Sequence, residues 1–321
     1  MTTGKEQPGS AGFPQSGQGL ENQRWSRLVN FGHPIPFFTM PDSSACPPIF
    51  RGRPHRVLIL LGLLGVLGRF TLGAELPPLR HATVVIAHRG EHLLHHENTL
   101  EAVQGAIDAG ADFTEMDVRR CLDGRYVIMH DSSVDRMTDG HGSVADLSWD
   151  ELSRLKVQSR QLPQVPPSRI PLFEEALKLA KGRIHVYVDF KSGDRAVTAD
   201  IIRATGMAGS VLIYDSDSGL AEWRRIAPEL PIITSFPERA RTNFAVMKAF
   251  VERYHPDVVD QAPEQKWLGR LEALQVRVWP DIQRSDENPA YWQMIWDSGL
   301  RGFQTDHPAE LVKWLEQTGR R

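Results

Sequence analysis

The chain has 321 residues, 41% apolar and 24% charged, which is a globular composition with ample core for one large domain or two ordinary ones. A net charge of −3 argues against a nucleic-acid partner reached through a basic face. Two cysteines, Cys46 and Cys121, are too few for a zinc ribbon or a disulfide scaffold.

Residues 1–50 are rich in Gly, Pro, Ser and Gln without apolar periodicity, so a disordered extension is expected over 1–56. Arg51, Arg53 and Arg56 then precede the apolar run Val57–Gly68, and small residues follow at Gly73-Ala74. This is the three-part pattern of a secretory signal peptide, placed at 57–74. Arg69 ends the run short of the roughly 20 apolar residues a bilayer span needs. An uncleaved membrane anchor is the alternative. Met40 would give a leader of ordinary length, with residues 1–39 as a gene-start artefact. A cleaved chain is expected in the periplasm or outside the cell, with no stable membrane span and Cys121 as a lone thiol.

From residue 80 to 321 β-branched runs alternate with helical stretches. Strands are predicted at Thr83–Ala87, Phe113–Val118, Tyr126–His130, His185–Lys191, Val211–Tyr214, Pro231–Ser235, Val258–Asp260, Val276–Trp279 and Gly302–Thr305. A helix is predicted over Asn98–Ile107, ended by Gly110, and another over Ser148–Leu155, opened by the capping box Ser148-x-x-Glu151. The alternation argues for a parallel sheet covered by helices, open or closed into a barrel. Nine strand candidates compete for the eight places of a (β/α)8 barrel, so one is marginal or outside it.

In such barrels the chemistry sits at the carboxyl ends of the strands. The polar residues cluster there: His88-Arg89-Gly90, Glu115-x-Asp117, His130-Asp131, Asp189-Phe190-Lys191 and Thr305-Asp306. Glu115 and Asp117 share a strand face, and two adjacent carboxylates inside a barrel call for a cation. Oxygen donors suit Ca²⁺ or Mg²⁺, with Asp189 as a third ligand. The simpler alternative for the pair is a strand-end ion pair with Arg119 or Arg120. His88 and His130 suit paired proton transfer, and Arg89 with Lys191 can neutralise a phosphate. Metal-assisted cleavage of a phosphodiester is the expected chemistry.

These residues, with Glu97-Asn98-Thr99, Asp123-Gly124, Arg136-x-Thr138, Trp279 and Thr305-Asp306-x-Pro308, resemble the glycerophosphodiester phosphodiesterase family, in order from His88 to Pro308. The resemblance implies a single (β/α)8 TIM-barrel domain, one divalent cation, and hydrolysis of small glycerophosphodiesters to sn-glycerol 3-phosphate and an alcohol. It implies His88 and His130 as the acid/base pair, Glu115, Asp117 and Asp189 as metal ligands, and Arg89 and Lys191 as phosphate contacts. Glu97 is expected to fix the site near Arg89, Trp279 to support or edge the pocket, and Asn98 and Thr99 to cap the first helix.

Two departures stand out. Asp189-x-Lys191 replaces the family's Glu-x-Lys, so either that strand sits closer or metal binds more weakly. Of the family's Trp-Thr-Val-Asn only Trp279 is kept, in Trp279-Pro280-Asp281-Ile282, which bears on the choice of alcohol. The short connection Leu155–Leu172 leaves little room for a substrate-covering insertion. Asp215-x-Asp217 is rejected as a calcium loop because Ile226 stands at the twelfth position. His92, His95 and His96 hint at a transition-metal site but are expected in the first βα-loop. An exported phospholipase D-like enzyme for lysophospholipids and a non-catalytic secreted barrel are the rival functions.

Overall fold

A computed structural model describes residues 74–321. The extension expected over 1–56, and all but the last residue of the leader region 57–74, lie outside the described residues. Among the described residues no helix is long and apolar enough to cross a membrane.

Eight parallel strands form the barrel: β1 (Val84–Ala87), β2 (Phe113–Arg120), β3 (His185–Phe190), β4 (Val211–Tyr214), β5 (Ile232–Thr234), β6 (Val258–Val259), β7 (Arg277–Val278) and β8 (Gly302–Thr305). Each pairs with the next from β1 to β7, and β8 returns to β1 in the register Val84↔Gly302 to Ala87↔Thr305. The β7–β8 seam closes through a parallel bridge, Asp281↔Gln304, just beyond β7. Helices follow the strands in turn, from Leu100–Asp108 after β1 to Pro308–Gln317 after β8.

β1, β4 and β6 read as continuous apolar runs because both faces are covered. With a side-chain period of two, Val84 and Ile86 point into the barrel with Phe113, Tyr187, Leu212, Ile233, Val258 and Trp279. Val85 and Ala87 point outward and share a second core with the helices, including Val103, Phe173, Ile202, Trp223 and Leu311.

The ninth strand candidate has a different place. Tyr126–Ile128 runs antiparallel to β2, with Val118↔Ile128 and Arg120↔Tyr126, as a hairpin outside the barrel. The Asp123-Gly124 turn makes the reversal, with Gly124 at φ +84°. Residues 121–172, which link β2 to the helix Phe173–Ala180, carry a small core of their own around Val127, Met129, Val134, Leu152 and Ile170. The stretch expected to be a short connection contains the antiparallel pair Lys156–Val157 and Ser168–Arg169. The Ser148 capping box forms, although its helix stops at Leu152. Tyr291, Trp292 and Trp296 fall on the helix Pro289–Asp297 that packs on the barrel.

Candidate active site

Extending the inward parity of each strand to its carboxyl end brings the polar residues to one mouth. His88 continues Val84 and Ile86, Glu115 and Asp117 continue Phe113, and Asp189 continues Tyr187. These four line a cleft of about 490 Å³ with His130, Lys191, Tyr214, Asp260, Asp281 and Gln304.

β2 and β3 are in register with Asp117 opposite Asp189. Oxygens of Glu115, Asp117 and Asp189 lie within 4.8 Å of one another, so the shorter aspartate on β3 reaches the pair. Burial, then Asp117 and Asp189, push the Glu115 carboxyl well above the usual carboxylate range. Asp189 is raised too, by burial and by Asp117, against the pull of Lys191. Lys191 Nζ stands 2.6 Å from Asp189 and 3.1 Å from Asp117, and Arg89 Nε stands 3.7 Å from Asp117. The counter-cations are therefore Lys191 and Arg89 rather than Arg119 or Arg120. Arg119 instead donates to the carbonyls of Met129 and His130, fixing the hairpin end that carries His130.

Two histidines flank this cluster, each tied back by Nδ1. His88 Nδ1 is 2.7 Å from Asp306 Oδ1, and His130 Nδ1 is 2.7 Å from Asp131 Oδ1. A carboxylate at Nδ1 fixes the ring and its tautomer and leaves Nε2 as the nitrogen without a proton. Burial holds His88 below the ordinary histidine value, despite the pull of Asp306. Arg136 then ties the outer shell together, binding Asp131 at 2.5 Å and Glu97 at 2.7 Å. That hydrogen bond from Arg136 draws the Asp131 carboxyl down to about 2. Glu97 in turn accepts from Arg89 at 3.1 Å, so it joins the arginine of the first loop to the His130 side.

The first loop is strained where it meets the site. Arg89 (φ +53°) and Asn98 (φ +56°) both adopt the left-handed conformation, joined by Asn98 N–H donating to Arg89 O. Arg89 N–H thereby reaches Glu115 Oε2 at 2.7 Å. Gly90 (φ +81°) cannot carry a side chain: a Cβ would lie 2.6 Å from the backbone carbon of Ala102.

Asn98 corrects the sequence reading. Thr99 alone caps the helix, accepting from Ala102 N–H. Asn98 donates through Nδ2 to Asp117 Oδ2 at 2.7 Å and accepts the Asp117 N–H through Oδ1 at 3.1 Å. Polar residues before a helix read as caps, and no local signal revealed the partner on β2. Asp131 and Asp306 were visible as strand-end neighbours, but their pairing with the histidines depends on tertiary geometry. Trp279 sits below the mouth, its ring 5.6 Å from that of Phe113, so its role is to support the floor. Pro280 and Ile282 exchange backbone hydrogen bonds with Gln304, so the departing segment after Trp279 closes the barrel and presents Asp281 to the cleft. His96 is buried, accepting from Ser159 N–H, and His92 packs behind His88. Asp215 is buried against Arg195 and Trp223 Nε1, a structural use.

A (β/α)8 barrel with grouped carboxylates, a lysine, an arginine and two carboxylate-held histidines at its mouth has the groups that phosphoric diester hydrolysis calls for. Residues 88–201 match the glycerophosphoryl diester phosphodiesterase family. A glycerophosphodiester phosphodiesterase of Caldanaerobacter subterraneus subsp. tengcongensis is 38% identical over 249 residues, covering 74% of this chain and 99% of the relative. A putative glycerophosphodiester phosphodiesterase of Bacillus subtilis is 37% identical, covering 71% and 96%. The chain therefore belongs to the glycerophosphodiester phosphodiesterase family. Among solved structures, a putative member from Silicibacter pomeroyi superposes with a TM-score of 0.65 at 22% identity over 76% of this chain and 96% of its own. An Oleispira antarctica phosphodiesterase in complex with the product sn-glycerol-3-phosphate gives 0.62 at 19% identity, over 73% and 96%. These two show the shared fold.

Proposed function

We propose that this phosphodiesterase hydrolyses small glycerophosphodiesters to sn-glycerol 3-phosphate and an alcohol, with His88 and His130 moving the protons and a divalent cation held by Glu115, Asp117 and Asp189. The observation that carries the reading is the pair of histidines beside the carboxylate cluster, each tied at Nδ1 to its own aspartate, in one cleft. One Nε2 takes the proton from the attacking oxygen while the other gives a proton to the leaving alkoxide.

The donor set fits a hard cation. Among the described residues, three carboxylates converge against two cationic side chains, and Glu115 gains one hydrogen bond, from Arg89 N–H. Ca²⁺ or Mg²⁺ held there would polarise a phosphoryl oxygen. Lys191 and Arg89 neutralise the remaining phosphate charge, and Glu97 holds the Arg89 guanidinium in place beside Asp117. The attacking oxygen is water or the substrate's own neighbouring hydroxyl, and trapping of a cyclic phosphate tells the two apart.

The test is product analysis with the full chain, using glycerophosphocholine, glycerophosphoethanolamine and lysophosphatidylcholine in parallel. The expected result is glycerol 3-phosphate from the first two and slower turnover of the third, with His130→Ala lowering the rate by roughly 10²–10⁴-fold. Preferential release of choline from lysophosphatidylcholine would overturn the substrate class. The cleft lining favours the smaller diesters, since it is built mainly of carboxylates, amides, histidines and tyrosines.

A further inference from the structure

At the Nδ1 edge of His88 stands a second group of metal-competent atoms. His88, His92 and Asp306 each place one donor atom within 4.8 Å of the others. Two nitrogens and one oxygen suit a borderline ion such as Zn²⁺ rather than Ca²⁺ or Mg²⁺.

The hydrogen bonds fix which nitrogens are available. His92 Nδ1 lies 2.8 Å from the carbonyl oxygen of His88, which only accepts, so His92 Nδ1 carries the proton. In the neutral ring His92 Nε2 is then a bare lone pair, 3.7 Å from Asp306 Oδ1. Two electron-rich atoms facing each other lack a bridging proton or cation. A ring N–H held by a backbone carbonyl, with the opposite nitrogen free, is the usual outer-shell arrangement of a metal-binding histidine. The third donor, His88 Nδ1, already touches the same carboxylate at 2.7 Å. The T-shaped approach of the two rings, centroids 5.6 Å apart, keeps both near Asp306.

We propose that His88, His92 and Asp306 form an inhibitory transition-metal site, distinct from the carboxylate site and built onto the back of one working histidine. A Zn²⁺ ion there bonds to His88 Nδ1, the nitrogen that otherwise donates its proton to Asp306. The ring stays neutral, so that proton moves through solvent to Nε2, and no proton is gained or lost. The nitrogen facing the cleft then carries hydrogen and has no lone pair to accept another. As an acid it is no better, since giving up that proton would leave a metal-bound imidazolate. Zn²⁺ thus locks His88 in a tautomer that serves neither direction of proton transfer. The inhibitory consequence rests on the proposed role of His88, whereas the metal site stands apart from it.

His92→Asn separates the two. Asparagine keeps a side-chain N–H for the His88 carbonyl and removes the Nε2 ligand. Turnover of glycerophosphocholine is measured at saturating Mg²⁺ with increasing Zn²⁺, alongside the visible absorption of Co²⁺-loaded full-length protein. The expected result is inhibition of the wild type that excess Mg²⁺ does not relieve, with His92→Asn needing roughly tenfold more Zn²⁺ or more. Co²⁺ is expected to give the strong bands of a tetrahedral nitrogen-containing site in the wild type and to lose them in the variant. Equal Zn²⁺ sensitivity of the two proteins, or only the weak spectrum of an all-oxygen octahedral site, would overturn the proposal. The Co²⁺ spectrum decides the site even where turnover is absent, so failure of the hydrolysis reading is distinguishable from failure of this one.

Discussion

At the scale of single residues, Asn98 carries the most weight for its size. It clamps Asp117 at both the carboxylate and the backbone N–H, from a left-handed position that asparagine tolerates better than most residues. Asn98→Ala removes both bonds and leaves a buried carboxylate short of a donor. Divalent-metal affinity is expected to fall about 10–100-fold, as for other partners that orient a ligand. Turnover should fall at limiting metal and recover in part at high metal. An unchanged metal titration would show that Asn98 serves only the shape of the first loop. The histidines, carboxylates and lysine of the site were legible in the sequence because strand parity and strand ends can be read from a period of two. Asn98 was not, because its partner lies 19 positions away on another strand and its local context mimics a cap.

At the scale of elements, the loop between β1 and the helix Leu100–Asp108 combines strain, the proposed site residues His88 and Arg89, and a buried acid. Glu91 is 3% exposed, and burial with the nearby Glu310 pushes its carboxyl from 4.5 up to about 7. The folded chain therefore holds this proton more tightly than the unfolded chain. Below about pH 4.5 both states are protonated and there is no penalty. As pH rises from there to about 7 the unfolded chain ionises first, so stability falls, and above 7 the full penalty persists. At 1.36 kcal/mol per pH unit that penalty is about 3 kcal/mol. Glu91→Gln is expected to gain stability relative to the wild type across this window, read as denaturant midpoints at pH 4.5, 6 and 8. Parallel curves for the two proteins would rule out a buried ionising Glu91.

The strand elements show why the sequence left one place open. Tyr126–Ile128 is as apolar and β-branched as the barrel strands, so composition alone places it among them. What excludes it is the Asp123-Gly124 reversal after β2, which makes the pairing antiparallel and leaves the third barrel place to His185–Phe190. The reversal also has a use, since it returns His130 to the mouth beside Asp117, whose carbonyl accepts from Met129 N–H. β6 and β7 are only two residues long, shorter than the runs predicted for them, although hydrogen bonds between the two continue past them, Trp279 N–H to Val259 O and Asp281 N–H to Asp260 O.

At the scale of the whole molecule, the barrel is a device for converging side chains that are far apart in sequence. Glu115, Asp117 and Asp189 come from neighbouring strands, His88 from the strand on the other side of β2, and His130 from a hairpin beyond it. The central claim is that the three carboxylates hold one divalent cation on which diester hydrolysis depends. Equilibrium titration of metal-free full-length protein with Mg²⁺ or Ca²⁺, with glycerophosphocholine turnover read on the same samples, tests it most directly. The account predicts one ion per chain, turnover that rises with site occupancy, and loss of both binding and turnover in Glu115→Gln. Full turnover in excess chelator, or binding unchanged in Glu115→Gln, would contradict it.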